Sequence, residues 1–266
     1  MLDVTISSAN NRLIKLARQL STRSGREKNK AFVVEGARAV EEALAARVCQ
    51  AVLVDESQIE KPSILAPLRS AIEQTVESAV VETRLFEGLI ETPAPQGILA
   101  VVRDLSWSLQ EVFRKTPQFI VVSDGLQDPG NLGTLVRLAD AVGADTFIAT
   151  RGSVDIFNPK VVRASMGSLF HLQIVQDIES GQLARQLKEL GYAVVAADVR
   201  GGVDHFDYRF NFPIAVVFGN EGRGLSPEWK QCAELVRIPM PGKAESLNVG
   251  VAAGVLLYEI IRQLRV

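Results

Sequence analysis

The chain has 266 residues and a formal net charge of −2, with 47% apolar and 23% charged residues, ordinary values for a globular chain that can bury a core. No apolar run approaches the roughly 18–20 residues of a membrane span. The first residues also lack the basic-then-apolar pattern of a signal peptide, so a cytoplasmic location is expected. Cys49 and Cys232 are widely spaced and read as free thiols, and His171 and His205 are too few for a histidine-built metal centre, so no metal is expected.

Residues 8–20 place Leu13, Ile14, Leu16, Ala17 and Leu20 at helical spacing, with Ser7 or Ser8 as the expected cap. Between Arg12 and Lys30 the chain gathers Arg12, Lys15, Arg18, Arg23, Arg26, Lys28 and Lys30, opposed only by Glu27. Taken alone, this cluster is a solvated helix face followed by a lysine-rich loop. Strand signals follow at 31–34, 51–54, 79–81 and 97–102, with helical stretches at 37–46 and 61–73, an alternation that implies a small α/β unit over residues 1–104. Residues 105–117 read as a linker. From 118 to 266 the alternation is stronger, with strands at 119–123, 146–150, 172–175, 192–197, 214–218 and 235–238. Helices are expected at 131–142, 159–168, 181–190, 227–232 and 249–264. Runs such as Ile214-Ala-Val-Val-Phe218 are apolar throughout, the mark of a mostly parallel sheet with helices on both faces.

Ligands of parallel sheets bind at the carboxyl ends of strands, and three segments there carry candidate chemistry. In Ser123-Asp-Gly-Leu-Gln-Asp-Pro-Gly-Asn131 a strand turns into a helix, with Asn131 expected as the cap and Arg137 rooted further along it. In Phe218-Gly-Asn-Glu-Gly-Arg-Gly-Leu-Ser226 three glycines let the backbone approach a ligand, and Glu221 stands among them. The Gly-x-x-Gly-x-Gly spacing is wrong for a dinucleotide turn, and no Gly-Lys-Ser/Thr completes a P-loop. In Ile238-Pro-Met-Pro-Gly-Lys-Ala-Glu-Ser-Leu-Asn248 two prolines stiffen a loop that delivers Ser246 and Asn248 to a helix start, where free backbone N–H groups suit a polar ligand.

In order and spacing these three segments resemble the motifs of the SpoU (TrmH-like) branch of the SPOUT methyltransferases. The N-terminal half, with Phe32-Val-Val-Glu-Gly-x-Arg38 and Val40-Glu41-Glu42-Ala43-Leu44, is similar to the substrate-binding domain that precedes it in many members. That domain is similar to small ribosomal proteins that bind RNA kinks. The resemblance implies an S-adenosylmethionine-dependent enzyme that methylates ribose 2′-hydroxyls. Ribosomal RNA is the expected substrate, with a transfer-RNA enzyme or a non-catalytic RNA-binding protein of the same fold as alternatives. A nucleotide-dependent α/β enzyme is a further alternative, against which the glycine spacing argues. The resemblance also implies a deep C-terminal trefoil knot, which general rules of chain connection would not suggest, and a homodimer packed through it. Gly219, Ile238 and Leu247 are expected around the cofactor, and Asn131, Arg137, Glu221, Ser246 and Asn248 at the reacting groups. The basic residues from Arg12 to Lys30 become the expected RNA contact. Two positions depart from the family pattern: Arg12 replaces a proline and Gly250 replaces a serine.

The reaction so implied is in-line attack of a ribose hydroxyl on a sulfonium methyl group, which needs alignment and help in removing the hydroxyl proton. Deprotonating a guanidinium at neutral pH costs roughly 8 kcal/mol, so Arg137 is expected to clamp a phosphate and stabilise the developing alkoxide rather than act as base. Glu221 is expected to orient Arg137 or the ribose, and Asn131 to position Arg137 or the hydroxyl.

Overall fold

A computed structural model describes residues 5–90, 92 and 95–264. The chain divides into two compact units, one built from residues up to Asp104 together with Phe157–Phe170, the other from Leu105–Ile156 and His171 onward.

The first unit contains β1 (Thr5–Ile6), α1 (Arg12–Gln19), α2 (Arg23–Asn29), β2 (Ala31–Glu35), α3 (Ala37–Ala45), β3 (Cys49–Asp55), α4 (Pro62–Glu73), β4 (Glu77–Val81), α5 (Thr83–Glu87) and β5 (Ile98–Arg103). Its five strands order as β1-β4-β3-β5-β2, with β5 antiparallel to both neighbours. Alternate strand residues face opposite ways. Leu53, Leu99 and Val101 therefore pack with Leu13, Ile14 and Ala17 of α1 and with Leu20 just after it. The helix starts later than the serines suggest, because Asn11 is the cap and accepts from the Leu13 N–H at 2.8 Å. Residues 23–29, expected as a loop, form α2, capped by Thr22, whose side chain accepts from the Gly25 N–H at 3.1 Å.

The second unit begins with α6 (Leu109–Arg114) and β6 (Phe119–Asp124), followed by α7 (Pro129–Ala141) and β7 (Thr146–Thr150). Next in the chain comes α8 (Pro159–Ala164), which belongs to the first unit, where Phe157 stacks on Phe32 with ring centroids 4.6 Å apart. The remainder is β8 (Gln173–Ile178), α9 (Ser180–Glu189), β9 (Ala193–Ala197), β10 (Val203–Asp204), β11 (Ile214–Gly219), α10 (Pro227–Cys232), β12 (Glu234–Arg237) and α11 (Val249–Leu264). All pairings in its seven-stranded sheet, ordered β10-β12-β9-β11-β6-β7-β8, are parallel. Ile120, Val122, Ala215 and Val217 pack under α6, α9 and α10, where Trp229 is fully buried. The intervening Phe119, Val121, Val216 and Phe218 are also buried and face the opposite side, where α7 and α11 pack. Residues 105–117, expected as a linker, are a built part of this unit. Leu109 and Val112 enter its core, and Trp107 N–H donates to the Ile174 carbonyl at 2.7 Å. Among the described residues no helix is long and apolar enough to cross a membrane, and no group of three metal-ligating side chains forms.

Candidate active site

Because every strand of the large sheet runs the same way, the loops after β6, β11 and β12 leave from one edge. In register, Gly219 pairs with Asp124, so the glycine loop begins beside the start of the Asp-Pro-Gly segment. Asp128, not Asn131, caps α7: its carboxylate accepts from the Asn131 N–H at 2.7 Å. With capping assigned to Asp128, the Asn131 side chain is released from its own backbone. Its Nδ2 donates to Glu221 Oε1 at 3.0 Å, and its Oδ1 accepts from Asn248 Nδ2 at 2.9 Å. One side chain thus links all three segments. Asn248 in turn caps α11, its Oδ1 accepting from the Gly250 N–H at 2.9 Å.

The glycine loop closes on itself. Asn220 and Gly224 exchange backbone hydrogen bonds of 3.0 and 2.9 Å. A β-carbon on Gly219 would sit 2.6 Å from the carbonyl carbon of Gly224 and from Leu225 N, so glycine is required there by the loop's own backbone rather than by a ligand alone. Asn220, which sequence reasoning passed over, organises the turn. Its Oδ1 accepts from the N–H groups of Gly222 and Arg223, both at 3.0 Å, and its Nδ2 donates to the Gly125 carbonyl at 2.7 Å. Asparagine's habit of bonding the backbone two residues on was the available signal.

Glu221, Ser246, Asn248 and Arg137 are exposed, while Asn131, Gly219, Ile238 and Leu247 are half-buried. Arg137 does not join the cluster. Six positions beyond Asn131 on α7, it lies roughly 9 Å further along the axis and about 120° around it. Among the described residues no hydrogen bond or ion pair holds its side chain. Glu221 therefore orients Asn131 in this chain, not Arg137. Ser246 is likewise placed on the loop but outside the hydrogen-bonded group.

Of the seven basic residues expected to grip RNA, Arg12, Lys15, Arg18, Arg23, Lys28 and Lys30 are exposed. Arg12 is paired with Glu77, and Arg23 with Glu27 at 2.8 Å. Arg26 is the exception: it is buried, and its Nη1 donates to the carbonyls of Leu20 and Ser21 at 2.8 and 3.0 Å. It caps the end of α1 and is withdrawn from the RNA-facing set.

Comparison with known proteins assigns a family to each half of the sequence. A sequence model of the SpoU rRNA Methylase family matches residues 118–258, and one of the MRM3-like substrate binding domain matches residues 11–100. The chain is 33% identical over 258 residues to the 23S rRNA (guanosine(2553)-2′-O)-methyltransferase RlmP of Bacillus subtilis, covering 96% of this chain and 98% of that protein. It is also 33% identical over 264 residues to the 23S rRNA (uridine(2479)-2′-O)-methyltransferase of Streptomyces viridochromogenes, covering 97% of this chain and 92% of that one. Among solved structures, the AdoMet-bound rRNA methyltransferase from Sinorhizobium meliloti superposes with a TM-score of 0.86 at 28% identity, over 98% of each chain. The motifs, the parallel sheet and these relatives agree: the chain belongs to the SpoU rRNA methylase family.

Proposed function

We propose that this chain transfers a methyl group from S-adenosylmethionine to a ribose 2′-hydroxyl of ribosomal RNA. The observation that carries the reading is the hydrogen-bonded set Asn131, Glu221 and Asn248, which gathers three distant segments at the carboxyl edge of one parallel sheet. The two relatives named act on a guanosine and on a uridine, so what they share is the ribose, not the base.

The residues present fit the donor. Residues 238–247 make no backbone–backbone hydrogen bond among the described residues, which leaves N–H and C=O groups for a ligand's polar edges. Ile238 and Leu247 are half-buried on that loop, and together with Gly219 they would hold the cofactor. When bound, S-adenosylmethionine supplies an electrophilic methyl group on a sulfonium whose leaving form is a neutral thioether. The protein's task is then alignment and charge stabilisation. Asn131 occupies Oε1 of Glu221, leaving Oε2 to receive the ribose hydroxyl. Ser246 and Asn248 shape the adjoining wall.

Arg137 reaches such a site in a homodimer. Its helix face includes Thr134, against which Gly250 of α11 packs. Along α11, Val251, Val255 and Tyr258 are exposed by 54%, 38% and 54%, an apolar stripe at helical spacing that a second copy would cover. Arg137 would then serve the partner's cluster as phosphate clamp. A knotted C-terminal segment, with α11 returning to pack on α7, belongs to the same reading, as does an N-terminal unit that grips RNA through its exposed lysines and arginines.

The test is methyl transfer from labelled S-adenosylmethionine to ribosomal RNA, followed by mapping of 2′-O-methyl sites with and without the gene. Absence of label in RNA, or label on a base rather than a ribose, would overturn the reading.

A further inference from the structure

Asp124 ends β6 with its side chain 4% exposed. Its Oδ1 accepts from the hydroxyls of Thr150, at 3.1 Å, and Ser180, at 2.7 Å, and its Oδ2 accepts from the backbone N–H of Ser226 at 2.7 Å. The pattern is acceptor-only, as a carboxylate requires. Among the described residues no cation pairs with it. A buried carboxylate satisfied only by neutral donors is an expensive way to join elements, and an apolar contact would stabilise the fold better. The position of the third donor is what such a contact could not supply. Ser226 closes the glycine loop that Gly219 opens, and Gly219 is the register partner of Asp124. Asn220, at the loop's other end, donates to the carbonyl of the very next residue, Gly125, at 2.7 Å. Both ends of the loop are therefore fastened to the end of β6, one through a carboxylate and one through a side-chain amide.

We infer that Asp124 is a positioning residue for the methyl donor: through the Ser226 N–H it holds the 219–226 loop in the shape that receives S-adenosylmethionine. The inference rests on the functional reading above and extends it to a residue outside the reacting cluster. Asp124→Asn keeps size and shape and retains Oδ1 as acceptor for the two hydroxyls, but turns an N–H donor toward Ser226 N–H. Ser226→Pro is a second, independent cut. The Ser226 backbone sits at φ −65°, which suits the proline ring, and its hydroxyl has no hydrogen-bond partner among the described residues. The ring Cδ replaces the amide hydrogen, so the bond to Asp124 is lost and its Oδ2 has to move aside. Ser180→Ala is the control, since it takes a hydrogen bond from the same carboxylate without touching the loop.

The experiment measures S-adenosylmethionine affinity by calorimetry, thermal stability, and RNA affinity on the full chain. Asp124→Asn and Ser226→Pro should each weaken S-adenosylmethionine binding about tenfold or more, the consequence of opposing or removing one buried hydrogen bond to a carboxylate. RNA affinity should stay within about twofold, and in turnover the KM for the donor should rise more than kcat falls. Ser180→Ala should lower the melting temperature and leave donor affinity within about twofold. Unchanged donor affinity in a folded Asp124→Asn chain overturns the inference. So does a Ser180→Ala chain that loses as much affinity as Asp124→Asn, because the carboxylate would then be merely structural. Should Asp124→Asn not fold, Ser226→Pro decides alone. A wild-type chain that takes up no S-adenosylmethionine sinks the functional reading and this inference with it, whereas normal uptake by both wild type and Asp124→Asn sinks this inference only.

Discussion

Asn248 Nδ2 donates to Asn131 Oδ1 across 2.9 Å, although 117 residues separate the two asparagines. Asn131 uses the other half of its amide on Glu221, so it must be donor and acceptor at once. No carboxylate or hydrocarbon of that size can do both. Asn131→Asp should therefore set a second carboxylate against Glu221 while keeping volume. Methyl transfer should fall about 10- to 100-fold in kcat/KM, with stability within about 1 kcal/mol of wild type because the cluster is half-open to solvent. Steady-state kinetics beside a thermal melt checks this, and wild-type kcat/KM in a folded variant would discard the link.

Arg137 tests whether one chain suffices. It stands about 120° around α7 from Asn131, with no protein partner among the described residues. Arg137→Ala and Glu221→Ala should each be inactive alone. Mixing the two after mild dissociation should restore activity, to about a quarter of wild type under random re-pairing, through dimers that hold one intact composite site. Arg137→Lys should not restore it, since the point charge lacks the bidentate fork. A mixture as inactive as its components would place Arg137 in its own chain's site.

The large parallel sheet was legible because its strands are continuous apolar runs, and Ile214–Phe218 is buried on both faces. The glycine loop was legible as a ligand site, but the reason for Gly219 was not, since it lies in backbone contact with Gly224 and Leu225. The sequence points to Asn131 as the cap although Asp128 takes that place, because both are good caps and local sequence does not say which one the helix start will use. The same ambiguity moved the first helix from Ser7 or Ser8 to Asn11. Arg26 reads as one more positive charge. Only the fold shows that its guanidinium closes α1. Nothing near residue 159 announces that Phe157–Phe170 packs with the first unit, because that is settled by long-range contacts such as Phe157 on Phe32.

The division within the basic cluster predicts two phenotypes. Replacing Lys15, Arg18 and Lys28 with glutamine should weaken RNA binding and reduce the slope of log K against log salt by about 2 to 3, since each phosphate contact contributes roughly 0.7 to 0.9. The melting temperature should barely move. Arg26→Gln should do the reverse, lowering stability by about 1–3 kcal/mol because the Leu20 carbonyl, which is buried, and the Ser21 carbonyl, which is partly buried, lose their guanidinium donor, and leaving the salt slope of the remaining folded protein intact. A flat response to the triple change would remove this face as the RNA contact.

Gly250, where the family pattern has serine, is buried against α7. A β-carbon there would lie 2.9 Å from Thr134 Cγ2 and 3.2 Å from Asn248 Oδ1. Gly250→Ser should cost about 1–2 kcal/mol by forcing Thr134 aside, and it should also lower activity by pressing on Asn248. Pairing it with Thr134→Ala should recover most of the stability, a coupling that a double-mutant cycle reads directly. Additive losses would show that the two helices do not share that contact.

The far end of α11 carries a pH signature. Glu259 is buried and receives a fork of two 2.8 Å hydrogen bonds from Arg262, with a third from Gln263 at 2.9 Å. Those bonds from Arg262 come first in holding its carboxyl down from 4.5 to about 2, burial opposes them, and Gln263 and the nearby charges of Arg262 and His205 add to the lowering. A depressed carboxylate stabilises the fold fully above its unfolded value and loses that contribution as pH falls through the folded one. The loss should therefore fall between about pH 4.5 and pH 2. Gln263 also donates to the Tyr208 carbonyl at 2.8 Å and accepts from the Phe210 N–H at 3.1 Å, so Glu259 fixes the helix end to the segment before β11. Glu259→Gln should lower stability by about 1–3 kcal/mol at pH 7, and the gap from wild type should close as pH drops through that window. Denaturant unfolding at stepped pH measures both curves, and curves that stay parallel from pH 6 to pH 2 would show that Glu259 carries no proton-linked stability.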